Sequence, residues 1–137
     1  MSRYPVVRVV RRSYDSSVVL YALFNDLLNI HHAERWSVKA YARMMACHPT
    51  ALSDACVAVC GRTAKELIDA RLSEAIKARL IASEDGLTVI AEDFFFTDAC
   101  SFVRFFRRME HITPGRFRRL ARLKLADEVA TKDGVDE

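Results

Sequence analysis

Three pairs of residues in this chain recur at almost one separation. Ala42 and Ala91 lie 49 positions apart, Leu52 and Phe102 lie 50 apart, and Thr63 and Thr113 lie 50 apart. Two copies are too few for a solenoid, which needs about three neighbouring repeats to bury a continuous core. They suit a small unit duplicated within a chain of 137 residues, a length that makes one domain. Only four Gly and three Pro interrupt the chain. Between them apolar residues return every three or four positions, which predicts an all-α fold.

The interruptions mark the helices. Residues 15–31 read as a first helix, with Leu20, Phe24 (beside Leu23), Leu27 and Ile30 marking one face. Ser37 offers an N-cap to a short helix ending near Met45. Cys47 and His48 turn the chain. Pro49 suits the first position of the next helix, because its missing N–H would have had no intrahelical partner there. That helix runs to about Cys60, where Gly61 stops it. Thr63 and Glu66 form a capping box for an uninterrupted helix over 64–83, striped by Leu67, Ile68, Leu72, Ile76 and Leu80. At that length it spans about 30 Å. Asp85-Gly86 ends it.

The pattern then repeats. A short helix over 89–95 leads to a turn at Phe96-Thr97. Asp98 caps a helix to about Met109 that keeps Phe102, Phe105 and Phe106 inward, and Thr113-Pro114 opens a last helix ending near Leu125. Two short helices joined by a tight turn outline a helix-turn-helix. The expected fold is therefore all-α with about seven helices: two helix-turn-helix subdomains, near 15–62 and 84–125, joined by a long central helix. Residues 1–14, with Arg3, Arg8, Arg11 and Arg12, are expected as a basic arm, and 126–137 as an acidic disordered tail.

Charge is unevenly placed. The whole chain carries +3, yet residues 99–124 hold eight Arg or Lys against the single acid Glu110. Such a block is the footprint of nucleic-acid binding, although a solvated helix face carries the same charge. No apolar run approaches the ~20 residues of a membrane span, and no signal peptide stands at the N-terminus. A cytoplasmic, nucleoid-associated protein with reduced cysteines is expected. Cys47, His48, Cys56 and Cys60 lack a CxxC pair and suit core packing better than zinc. His31 and His32 suit the C-terminal dipole of the first helix. No phosphate loop, GxSxG elbow or isolated carboxylate pair occurs, so no enzyme, metal or cofactor is expected.

Residues 36–119 resemble the DNA-binding domain of AraC/XylS-type transcription regulators. In the first unit the resemblance rests on Ala42, on Pro49 with Leu52-Ser53, on Gly61, and on Thr63-Ala64-Lys65-Glu66. In the second it rests on Ile90-Ala91, Phe96-Thr97-Asp98, Phe102, Phe106-Arg107-Arg108, and Ile112-Thr113-Pro114-Gly115-Arg116-Phe117-Arg118. It implies recognition of double-stranded promoter DNA by both units in successive major grooves, with an effect on RNA polymerase nearby. Many members attach an effector-binding domain, for which 137 residues leave no room. A stand-alone regulator is expected, with the DNA-binding part of a longer regulator as the alternative.

The resemblance also implies that the second helix of each unit reads bases. In the second unit Arg104 is the leading candidate, because guanidinium pairs bidentately with guanine O6 and N7. Ala99, Cys100 and Ser101 share its outward positions. Arg107, Arg108, Arg116, Arg118, Arg119 and Lys65 are candidates for phosphate, which gives affinity but little sequence choice. The first unit departs from this pattern. Residues 50–60 contain no Lys or Arg, and Thr50, Ser53, Asp54 and Val57 take the outward positions. Asp54 there either opposes a negatively charged groove or accepts from cytosine N4. Either this unit contacts DNA weakly, or its surface binds a protein and the chain is an interaction module; the sequence leaves both open. His111 stands where the family often has Gly, and a helix-ending positive φ is less comfortable for His.

Overall fold

A computed structural model describes residues 16–135, with the backbone alone for 131–135. The arm expected over 1–14 lies outside the described residues. Among these there are seven α-helices and no strand: α1 (Ser16–His31), α2 (Val38–Met44), α3 (Pro49–Cys60), α4 (Ala64–Ala82), α5 (Leu87–Asp93), α6 (Ala99–Glu110) and α7 (Pro114–Val135), with a 3-10 turn at His32–Glu34.

Local chemistry accounts for five of the seven starts. The Ser37 hydroxyl accepts from the Ala40 N–H at 3.2 Å. Pro49 opens α3, and His48 caps it through Nδ1, which accepts from the Thr50 N–H at 3.3 Å. Thr63 and Glu66 exchange backbone-to-side-chain bonds of 3.2 Å in both directions, the reciprocal pattern of a capping box. Asp98 accepts from the Ser101 N–H at 2.6 Å, and Thr113 from the Arg116 N–H at 3.3 Å.

The duplication extends to the backbone of the turns. After α2, Ala46 adopts φ 53°, and the Cys47 N–H closes back on the Ala42 carbonyl at 3.0 Å. After α5, Phe95 adopts φ 62°, and the Phe96 N–H closes on the Ala91 carbonyl at 2.9 Å. The second turn then has one more residue before its cap, Thr97, which is why the repeat lengthens from 49 to 50. The left-handed Phe95 also ends α5 at Asp93, two residues short of expectation, and buries Phe94 and Phe96 on either side of it. α5 correspondingly begins at Leu87, behind Gly86.

Gly61 and His111 end α3 and α6 in the same left-handed conformation, at φ 77° and 66°. A side chain is strained there by about 1–3 kcal/mol, which outweighs the roughly 0.5–1 kcal/mol of extra backbone entropy that glycine loses on folding. His111→Gly is therefore expected to stabilise the protein by about 0.5–1 kcal/mol, read as a Tm rise of a few degrees in a thermal melt. A lower Tm would mean that the exposed imidazole makes a contact worth more than the strain.

The chain divides into two compact units within α4, between Leu72 and Ser73. The first buries Phe24, Leu27 and Leu28 of α1 against Tyr41 and Met44 of α2, Leu52 and Cys56 of α3, and Ala64 and Ile68 of α4. Ile30 does not join them and is 69% exposed. It follows Leu27 by three residues but lies about 120° round the helix from Phe24. His31 holds the inner position instead, stacked on Trp36 with centroids 3.9 Å apart.

The second unit buries Ile76, Leu80, Ile90, Phe94, Phe96, Phe102 and Phe106. Its aromatic rings pack edge-on, Phe96 to Phe102 at 5.4 Å and Phe106 to Phe117 at 5.5 Å. α7 runs ten residues beyond the expected end near Leu125, to Val135. No proline or glycine interrupts residues 116–133, and Ala, Leu, Lys and Glu favour continuation.

Candidate nucleic-acid interface

α6 is fixed at both ends. Asp98 holds its first turn, and the Ser101 N–H it accepts keeps its carboxyl below the usual range. At the other end the buried Ser73 hydroxyl donates to Glu110 at 2.7 Å, and Lys77 Nζ lies 3.2 Å from the same carboxylate. Burial pushes the Glu110 carboxyl up, but these donors outweigh it and leave it below its ordinary value. Because α6 is anchored to α4 by a charged hydrogen-bond network, the direction of its outer face is set by the fold.

With Phe102 at the centre of the inner face, Cys100, Arg104 and Arg107 fall on the opposite side, at about 140–200° round the helix. All three are exposed. Arg108 and Ser101 flank them, the first exposed with its guanidinium over the Phe105 ring at 5.5 Å, the second half-buried. A cation over an aromatic face is held in place without losing its charge. Ala99, expected among the outward positions, lies only about 60° from Phe102 by the same count and is half-buried. It is poorly placed to read a base.

α7 splits its arginines. Arg116 and Arg119 are exposed. Arg118 is turned inward: its Nε donates to the Leu80 carbonyl at 2.9 Å, and its Nη2 is buried. Arg122, overlooked in the sequence, lies one turn on, donating to the Ser83 carbonyl at 2.8 Å and pairing with Glu84. These two guanidinium groups cover the carbonyls that end α4, which otherwise lack intrahelical partners. Arg118 is thus a structural cap rather than a phosphate contact. Helical position carried the signal: Arg118 and Arg122 lie about 100–140° to one side of the inward Phe117, and Arg116 and Arg119 about 100–160° to the other.

The first unit offers the same frame with different side chains. At the positions matching Cys100, Arg104, Arg107 and Arg108, α3 carries Thr50, Asp54, Val57 and Ala58, all exposed. Ser53 matches Val103 and is half-buried, off the centre of the outer face. Lys65 projects from the start of α4, paired with Asp69 at 3.0 Å. Among the described residues no three His, Cys, Asp or Glu come together in a way that could hold a metal ion. Cys56 is buried, and its thiol is pushed up to about 11, first by burial and then by Cys60 and Cys47.

A helix-turn-helix domain family matches residues 41–120, more than half of the chain. The chain belongs to the AraC/XylS-type family of DNA-binding transcription regulators. Solved structures share the regulator's fold. The C-terminal domain of AraT, a response regulator from Geobacillus stearothermophilus, aligns with a TM-score of 0.68 and 18% identity, over 74% of this chain and 84% of that one. The C-terminal domain of the two-component response regulator yesN from Fusobacterium nucleatum gives 0.65 and 19%, over 71% and 95%. A DNA-binding transcriptional dual regulator from Escherichia coli K-12 gives 0.63 and 11%, over 85% and 99%. No curated protein matches the regulator significantly. None of its described helices is long and apolar enough to cross a membrane.

Proposed function

We propose that the regulator grips promoter DNA chiefly through its second unit, with α6 in the major groove. One observation carries this: matched position for position, the outer face of α6 bears Arg104, Arg107 and Arg108, where α3 bears Asp54, Val57 and Ala58. Arg104 reads a base edge, with Cys100 and Ser101 beside it. Arg107, Arg108, Arg116 and Arg119 hold phosphates along the groove. α3, with Thr50 as its one neutral polar reader at the centre of the face, adds little affinity. Its exposed surface, including Val57 at 47%, is left for a protein contact beside the promoter, such as RNA polymerase.

Hydroxyl-radical footprinting of the best fragment selected from the source genome tests the reading. One strongly protected window is expected. Two equally protected windows a helical turn apart would place α3 in DNA as firmly as α6 and end the one-unit account.

A charge exchange on α3 gives a second check. Asp54→Arg copies Arg104 onto the first unit and removes an acid from the face. It should tighten binding to any duplex and steepen the slope of log K against log salt by about one unit. An unchanged slope would show that this face does not approach the phosphates.

A further inference from the structure

The two units can be matched residue by residue, and one match is informative. Arg118 and Arg122, which close over the end of α4, correspond to Ile68 and Leu72 on α4 itself. Those short apolar side chains cannot reach as the arginines do. In the first unit a cleft of about 440 Å³ stands at this position, lined by Arg35, Trp36, Lys39, Lys65, Ile68 and Leu72. Where the second unit supplies its own guanidinium groups, the first has an apolar floor beneath three cations. Asp69, which also lines the cleft, pairs with Lys65 and leaves the lining net positive.

We propose that this cleft binds a small organic carboxylate, with its apolar body on Trp36, Ile68 and Leu72 and its charged head between Arg35 and Lys39. The volume lies in the range of small-ligand sites, which combine an apolar lining with a few placed polar groups. Burial pulls the Arg35 guanidinium below its usual value against the opposing charge of Asp69, so an anion arriving there meets a partly desolvated cation. Lys39 makes no ion pair among the described residues and can turn to the ligand without breaking one. A DNA phosphate fits the rim but not the floor, because a hydrated backbone buries little against an indole and two aliphatic side chains.

Trp36 is the chain's single tryptophan, so its emission reports on this cleft alone. Octanoate, octanamide, inorganic phosphate and a short duplex of arbitrary sequence are titrated against the full chain. Octanoate is expected to shift the emission saturably, with octanamide at least about tenfold weaker, the scale of one lost charge-assisted contact. Phosphate and duplex should leave it unchanged. Lys39→Glu, at an exposed site, should weaken octanoate by about tenfold or more. Ile68→Arg, which copies the second unit, should abolish the response; if that variant does not fold, Lys39→Glu decides alone.

Equal responses to octanoate and octanamide would reduce the cleft to an apolar dent and overturn the proposal. So would a response to phosphate matching that to octanoate, a response to duplex alone, or no saturation by ~10 mM, weaker than a specific site of this size requires.

Discussion

Arg104→Ala is expected to flatten the regulator's preference for its best site, costing about 1–3 kcal/mol there while changing its hold on arbitrary duplex far less. The asymmetry follows from where the side chain stands. Arg104 is exposed at the centre of the outer face of α6, opposite the buried Phe102, on a helix tied down at Asp98 and at Glu110. With α6 in the major groove, as proposed, a guanidinium held there by a fixed backbone would meet a base edge before a phosphate. Arg119→Ala provides the contrast, because that residue is exposed on α7 and should act only through charge. Its loss should weaken binding to all sequences alike and lower the salt slope by about one unit. Selection from a randomised duplex pool, run in parallel on the parent and both variants, separates these patterns. If Arg104→Ala selects the parent's site with the parent's affinity, the base contact belongs to another residue.

Helix existence was legible in the sequence because five of the seven starts have their own chemical signal. Ser37, Pro49, Thr63 with Glu66, Asp98 and Thr113 with Pro114 all act where their types predict. The misplaced end of α5 arises where an ordinary side chain takes an uncommon backbone conformation. Phe95 continues an apolar run that reads as helix, yet it sits at positive φ and ends α5 early. Nothing in a phenylalanine announces that; only its count against Ala46 in the first unit does. Ile30 failed for a related reason, since spacing to one neighbour was satisfied while the angle to the core was not.

Much less of the site could be read. Charge placed a basic block on residues 99–124, but a sum cannot say which arginines face out. Arg118 and Arg122 point to carbonyls of α4, while Arg104, Arg116 and Arg119 are left on the surface. The difference lies in angular position round α7 relative to Phe117. It becomes decisive only once α4 is known to end beside that helix. The cleft in the first unit was invisible for the opposite reason. Ile68 and Leu72 read as core stripe, and their distinction from the second unit appears only when the arginines facing the same task are seen at work.

The largest effect on stability is expected at a residue that touches no DNA. Phe106 is fully buried in α6 and packs edge-on against Phe117 of α7 at 5.5 Å. Truncation to alanine removes the ring and leaves a hole that a helix fastened by Ser73, Lys77 and Asp98 cannot readily collapse to fill. Phe→Ala in such a core costs about 3–5 kcal/mol, against the 5–15 kcal/mol that typically holds a domain together. Phe106→Ala should therefore lower the Tm by on the order of 10–20 °C in a calorimetric or circular-dichroism melt. DNA binding should vanish near the new midpoint and return on cooling well below it, because the outward arginines are intact and only their platform has been weakened. Phe106→Leu, which keeps part of the volume, should fall between the parent and alanine. A Phe106→Ala protein with the parent's Tm would show that the ring is not part of a close-packed core. A variant that stays folded but binds no DNA at any temperature would show instead that the ring sets the pose of Arg104 and Arg107 rather than the stability of the unit.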